Sequence, residues 1–268
     1  ENYTMRPVAF AIAAHPDDIE FMMAGTLLLL AQAGYSLHYL NIANGCCGSM
    51  SMDAAAIAAV RAAEARAAAK QLGACFHPSL VNDLEIFYDK STLARVGALI
   101  RQVNPSIVLV PSPQDYMEDH SNAARLAVTA TFCKGMPNWA TEPLQPAAAG
   151  PCAIYHALPY GLHDGLRQRI WPDFYVDIST VLTAKRELLA CHRSQQQWLD
   201  TTQGINAYLE NMTAISAEVG RMSGSFAYAE GWRRHNHLGL AEADFDPLCQ
   251  ALARQMLCEP NPAATKGV

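Results

Sequence analysis

At 268 residues, 51% of them apolar and 16% charged, the chain can form one large α/β domain or two small ones around a substantial core. Its net charge of −6 and the lack of any long lysine or arginine cluster argue against nucleic acid as a partner, and no apolar run reaches membrane-spanning length. No charged segment followed by an apolar stretch opens the chain, so cytoplasmic residence is expected, with Glu1 to Thr4 standing ahead of a natural Met5.

The first predicted element is the apolar run 8–12, a fully buried strand. It delivers Ala13-Ala14-His15-Pro16-Asp17-Asp18 into a turn, and an apolar helical stretch over 21–33 follows, ended by Gly34. One imidazole and two carboxylates at the end of a strand lie at a sheet's carboxyl edge, where open α/β sheets bind ligands. Pro16 stiffens the turn. His15 and Asp18 can converge on one cation, leaving Asp17 free to face a water on it. Imidazole and carboxylate suit Zn²⁺, with Fe²⁺ or Ni²⁺ also admissible. Taken singly, either aspartate is an ordinary helix cap and His15 a turn residue. Together they point to a site that still needs a third ligand.

A second buried strand is expected over 37–43, running into Asn44-Gly45-Cys46-Cys47-Gly48-Ser49. That loop can bring backbone close to a ligand, although no Gly-Lys-Ser/Thr marks it as a phosphate loop. The eight cysteines are scattered, without a Cys-x-x-Cys pair, and read as small apolar residues in a reducing compartment. The alanine-rich segment 53–72 is a helix closed by Gly73. Within it Arg61 and Glu64 share a face and, by themselves, read as a surface ion pair of little worth. A third strand is expected over 75–81, and Ser91 is expected to cap a helix running to about Val103. The strand 107–110 then ends in a polar run from Pro111 to His120, and a helix follows to about Lys134. This is a second strand-turn-helix unit carrying both acid and imidazole. His120 is therefore the best third ligand, with Asp119 beside it as a candidate substrate contact.

Residues 137–151 form a proline- and alanine-rich surface loop. A fifth strand is expected over 153–158. His156 inside it reads as a satisfied core histidine, whereas His163 stands on a glycine-flanked loop from which it can reach a substrate. A strand over 174–178 and helices over 179–192, 204–219 and 247–257 complete the chain. The run Arg233-Arg234-His235-Asn236-His237 reads as a solvated or subunit-contact segment, which admits a homo-oligomer. The alternation of strands and helices predicts one domain over 1–268. Its fold class is α/β, a Rossmann-like, mainly parallel sheet sandwiched between helices, with additional C-terminal helices.

Ala14-His15-Pro16-Asp17-Asp18-Ile19-Glu20 resembles the AHPDDE signature of the PIG-L/LmbE-like deacetylases, with one residue inserted before the glutamate. The likeness continues at Arg61-x-x-Glu64, Asp119-His120, Lys185, His192-x-Ser194-Gln195 and Ala229-Glu230-Gly231, and so spans most of the chain. The resemblance implies a zinc-dependent hydrolase of linear amide bonds that removes N-acetyl groups from amino sugars or their conjugates. Carried over by position, His15, Asp18 and His120 hold one Zn²⁺ per chain, Asp17 is the general base for the metal-bound water, and Arg61 contacts substrate. One departure stands out. The family's second motif usually reads His-Pro-Asp-His, its first imidazole assisting the tetrahedral intermediate, but here the string is Met117-Glu118-Asp119-His120. A thioether donates no proton, so His163 is the expected replacement. Two other classes compete: a degenerate member that binds a sugar or a partner without turnover, and a phospho-acceptor receiver domain, which explains neither His15 nor His120.

Overall fold

The computed structural model describes residues 6–203 and 207–258; the expected start at Met5 and the first residues of the 204–219 helix lie outside them. β1 (Val8–Ala13) sets the architecture. Its Ala9, Ala11 and Ala13 pack into one core layer, while Phe10 and Ile12 pack into another. A strand apolar on both faces is stable only in the middle of a sheet covered on both sides. β1 accordingly pairs in parallel with β2 (Ser36–Asn41) and with β4 (Ile107–Val110). The sheet has the order β3-β2-β1-β4-β5-β7-β6-β8, where β3 is Ala74–His77 and β5 is Ala153–Ala157. These first five strands are parallel. β7 (Ala229–Arg234), β6 (Phe174–Asp177) and β8 (Met256–Cys258) are antiparallel to their neighbours. The chain runs outward from β1 to β3 and then returns to β4 on the other side. The carboxyl ends of β1 and β4 thus flank the switch point, where doubly wound sheets have a crevice.

α4 (Lys90–Val103) and α5 (Glu118–Cys133) cover the Phe10 face. α2 (Ala24–Gln32), α3 (Ala54–Leu72), α6 (Leu182–Leu189) and α9 (Pro247–Leu252) cover the Ala11 face. α3 is capped as its sequence demands: the Asp53 carboxylate accepts from the Ala56 N–H at 2.8 Å, and Gly73 takes the left-handed conformation at φ 77°. α4 is capped by Asp89 rather than Ser91. The expected first helix is broken at Met23 into α1 (Asp18–Met22) and α2.

The C-terminal third departs most from expectation. The segment containing Arg233 and Arg234 is strand β7 inside the sheet. It is anchored by Trp232, which is fully buried and donates its indole N–H to the Thr26 hydroxyl at 2.9 Å. The 247–257 helix stops at Leu252, and Met256 to Cys258 pair with β6 as the edge strand β8. Two helices, α7 (Arg193–Gln203) and α8 (Tyr208–Ser223), fill the stretch after α6. Glu230 ties β7 to the start of α2: it accepts from the Gly25 and Thr26 N–H groups at 2.8 Å each and pairs with buried Lys185 at 2.7 Å. A carboxylate at a helix N-terminus meets unsatisfied donors and the positive end of the helix dipole. Among the described residues no helix is long and apolar enough to cross a membrane.

Candidate metal centre and active site

The turns after β1 and β4 meet at the switch point. The His15 N–H donates to Asp18 Oδ2 at 2.7 Å, which fixes Asp18 as α1 begins. His15 Nε2 bonds Asp119 Oδ2 at 2.9 Å, and His120 Nδ1 bonds Asp115 Oδ1 at 3.0 Å. A carboxylate only accepts, so each of these ring nitrogens carries a hydrogen, and the other nitrogen is the one available to a cation once its own proton is displaced. Those other nitrogens face the same carboxylate: His15 Nδ1 is 3.6 Å from Asp18 Oδ2, and His120 Nε2 is 3.5 Å from Asp18 Oδ1. One donor atom from each of His15, Asp18 and His120 lies within 4.8 Å of the others. Two imidazoles of fixed tautomer, each backed by a carboxylate, and one carboxylate form a donor set that fits a zinc-class cation.

The electrostatics agree with that fit. Asp17, Asp18, Asp115 and Asp119 crowd around two imidazoles, and the cluster attracts positive charge. Burial opposes protonation of His15, but the hydrogen bonds to Asp119 and Asp18 override it and push its pKa up to about 10. His120 is raised likewise, burial being outweighed by Asp18 and Asp115. Asp18 is held well below the usual carboxylate range, because His120 and His15 outweigh its burial.

Asp17 stands outside this donor group and faces the cavity. Its backbone has φ 109°, a region that costs a residue with a side chain on the order of 1–3 kcal/mol and recurs at functional sites. The Tyr208 hydroxyl donates to one Asp17 oxygen, and Arg61 lies 3.4 Å from the other. Burial pushes the Asp17 carboxyl up to about 6, against the pull of Arg61.

Arg61 is not a surface residue. Its guanidinium is buried, donating to the Pro16 carbonyl at 2.5 Å and to the Gly45 carbonyl at 3.4 Å. A Cβ at Gly45 or Gly48 would stand 2.5 or 2.8 Å from Arg61, so the glycine loop approaches this side chain closely as well as bordering the cavity. Glu64 is not its ion-pair partner. Its carboxylate accepts from the Ser194 N–H at 2.9 Å and so caps the start of α7.

The resulting cavity has a volume of about 320 Å³ and is lined by His15, Asp17, Asp18, His120 and Arg61 at its polar end. Met117 lines it where the imidazole was missing, and Tyr116, Tyr160, Trp198 and Tyr208 form an aromatic wall. That wall was not anticipated. Gln195, within the matched His192-x-Ser194-Gln195 string, was its one sequence signal, and it lines the cavity too.

Two expected site residues are placed differently. Asp119 is buried and does not line the cavity; it accepts from His15 and from the Leu84 N–H at 2.8 Å, which places it behind the His15 ring. His163 is also outside the lining. After β5 the chain turns through a short 3₁₀ segment, Tyr160–Leu162, which buries Leu162 and presents Tyr160 to the cavity. His163 lies beyond it, its Nδ1 bonded to the Gly161 carbonyl at 2.6 Å. His156 is a satisfied buried residue, bonded to the Pro111 carbonyl and to His235 at 2.9 Å each.

Residues 10–131 match the model of the GlcNAc-PI de-N-acetylase (PIG-L) family. Over 228 residues the chain is 30% identical to diacetylchitobiose deacetylase of Thermococcus kodakarensis, a match covering 83% of this chain and 80% of that protein. Over 238 residues it is 28% identical to 4-oxalmesaconate hydratase of Pseudomonas putida, covering 85% and 89%. The fold superposes with a TM-score of 0.72 on 4-carboxy-2-hydroxymuconate hydratase of Pseudomonas putida, at 24% identity over 86% of this chain and 96% of that one. The chain belongs to the PIG-L family of LmbE-like deacetylases.

Proposed function

We propose that the protein is a metal-dependent amide hydrolase that removes an N-acetyl group from an amino sugar or sugar conjugate. One observation carries this reading: His15 Nδ1 and His120 Nε2 converge on Asp18 while the Asp17 carboxylate faces the same cavity. His15, Asp18 and His120 would hold the ion, zinc being the natural occupant of such donors. A divalent cation supplies Lewis acidity, which polarises an acyl carbonyl and makes water a nucleophile near neutral pH.

The chain's own residues do the remainder. Asp17, fixed by Tyr208 and Arg61, accepts the proton of the attacking water and returns it to the departing amine. We assign the role left open by Met117 to Tyr116: it lines the cavity with its ring 5.8 Å from that of His120, and partial burial, with Asp18 nearby, raises its phenol above its ordinary range so that it stays protonated. It can therefore donate a hydrogen bond to the developing oxyanion. The aromatic wall gives a sugar ring or an attached aglycone an apolar face to rest on. The free cysteines at described positions suit a reducing compartment, which supports a cytoplasmic enzyme.

The test is acetate release from a panel of N-acetylated amino sugars, with the enzyme stripped of metal and then reloaded with zinc. The Pseudomonas putida relative and the thioether at Met117 favour one second reading, hydration of a carbon–carbon double bond in a conjugated carboxylate. Loss of ultraviolet absorbance from an unsaturated dicarboxylate, with no acetate released from any sugar, would select it.

A further inference from the structure

β2 and β3 carry a group of side chains that plays no part in the site described above. In the parallel register His38 on β2 stands opposite Cys75 on β3, and His77 lies two residues further on, so all three project from one face of the sheet. One potential ligand atom from each lies within 4.8 Å of the others; His77 is buried, His38 half-buried and Cys75 exposed. The two rings stack at 20° with centroids 5.2 Å apart, and His38 Nδ1 is 2.9 Å from His77 Nε2. Phe10 packs against both rings, at 5.8 and 5.2 Å, and holds them from β1. β3 is the terminal strand of the described sheet, so the thiol side of the group is open to solvent.

The chemistry of these three donors is that of a metal site. Burial disfavours the charged form of both imidazoles: His77, which also faces His38, is held down at about 4, and His38 is lowered. Two nitrogens bound to a tetrahedral zinc at about 2.05 Å lie about 3.3 Å apart. The 2.9 Å found here lacks only a few tenths of an ångström of that separation. Sulfur beside two imidazoles selects zinc-class ions over magnesium or calcium, which take oxygen.

We propose that His38, Cys75 and His77 form a second metal site, taking a zinc-class divalent cation with water as fourth ligand and clipping the edge strand β3 to β2. Binding releases one proton. The thiol loses its own to solvent, while the hydrogen between the rings moves to the far nitrogen of the ring that carries it, freeing both facing lone pairs. The site would serve the fold and not the amide chemistry, because none of its three residues lines the cavity and the ion would join two neighbouring strands.

Cobalt titration of the full chain, reduced and stripped by chelator, tests this. The donors His15, Asp18 and His120 contain no sulfur, so a thiolate-to-cobalt charge-transfer band in the near ultraviolet reports a thiolate site alone. Cys75→Ser, at an exposed position, should abolish the band and lower bound cobalt by one equivalent, with an unchanged circular dichroism spectrum. Cys46→Ser with Cys47→Ser should leave the band intact, since those thiols group with Asp83 and not with His38 and His77. His77→Gln should act as Cys75→Ser does. A wild-type titration without a sulfur band overturns the proposal. So does a band and stoichiometry that survive Cys75→Ser, or a band lost only with Cys46 and Cys47.

Discussion

Asp119 Oδ2 accepts a hydrogen bond from His15 Nε2 at 2.9 Å, joining the turn after β1 to the start of α5 across 104 positions of sequence. The bond fixes which imidazole nitrogen faces Asp18, and the Leu84 N–H holds the carboxylate in place from a third segment. Removing such an outer partner costs about 10–100-fold in metal affinity. Asp119→Ala should therefore fold normally yet bind zinc weaker by that factor, measured by competition with a chromophoric chelator. Unchanged affinity would remove Asp119 from the support of the centre.

Asp17→Asn should retain its metal and lose turnover. The two donors bind different Asp17 oxygens, so the single amide oxygen keeps one of them, Tyr208 or Arg61, while the isosteric side chain holds the turn; an amide is no base at neutral pH. Losing a positioned acid–base group lowers the rate about 10²–10⁴-fold. Elemental analysis alongside kcat/KM separates this from metal loss, and near wild-type turnover in the metal-replete variant would reassign the base.

The pair Lys185–Glu230 is a stability element. Both side chains are buried, and Glu230 already accepts from the Gly25 and Thr26 N–H groups. Lys185→Met would leave a carboxylate without its countercharge, a change that costs about 3–5 kcal/mol in buried pairs. Adding Glu230→Gln should recover part of the loss. Urea denaturation reads both, and an additive double variant would show the pair to be uncoupled.

His156 makes stability depend on acid. Burial, opposed by its bond to the Pro111 carbonyl and aided by His235 and Arg233, holds it down at about 4, against 6.5 when unfolded. Between those values the unfolded chain binds a proton that the native state does not. Stability is thus fully present above about pH 6.5 and falls as pH drops toward 4, by on the order of 3 kcal/mol. His156→Gln, which keeps a donor for Pro111, should flatten that slope in denaturation measured with excess chelator. An unchanged slope would place the acid sensitivity elsewhere.

The parallel half of the sheet was legible because its strands are predominantly apolar and run into glycine, proline or acidic signals. The grouping of His15, Asp18 and His120 was legible because two strand-turn-helix units repeat one chemistry at one edge, and the structure brings a donor atom of each within 4.8 Å of the others. The same local reading could not distinguish Asp119 as a support from Asp119 as a substrate contact, since that depends on Leu84 and His15 arriving from distant segments. The Arg233-Arg234 segment reads as solvated by composition, yet Trp232 and Glu230 draw it into the sheet through contacts with Thr26 and Gly25, roughly the length of the chain away. α7 is polar in composition, and part of what holds it is Glu64, which caps it from α3.

The proton donor left open by Met117 gives the last prediction. His163 was expected there because its loop follows a parallel strand and so begins at the correct edge. The 3₁₀ turn at Tyr160–Leu162 spends that approach on Tyr160, and the His163 ring is bonded to the Gly161 carbonyl outside the cavity lining. Tyr116 has the better position, lining the cavity edge-on to His120 at 84° between ring planes. Its phenol remains protonated through the neutral range and so needs no titration to donate. Removing one donor to an oxyanion typically lowers kcat about 10²–10³-fold. Tyr116→Phe preserves the ring and its packing on His120, so it should keep the metal and KM within a few-fold while kcat falls by that factor. His163→Ala should leave kcat/KM within a few-fold of wild type. Met117→His in the Tyr116→Phe background should restore part of kcat and add a fall in rate as pH rises through a histidine midpoint, a limb opposite in sign to the one Asp17 gives as base. A Tyr116→Phe enzyme with unchanged kcat beside a His163→Ala enzyme that has lost it would return the role to His163 and require that loop to close over bound substrate.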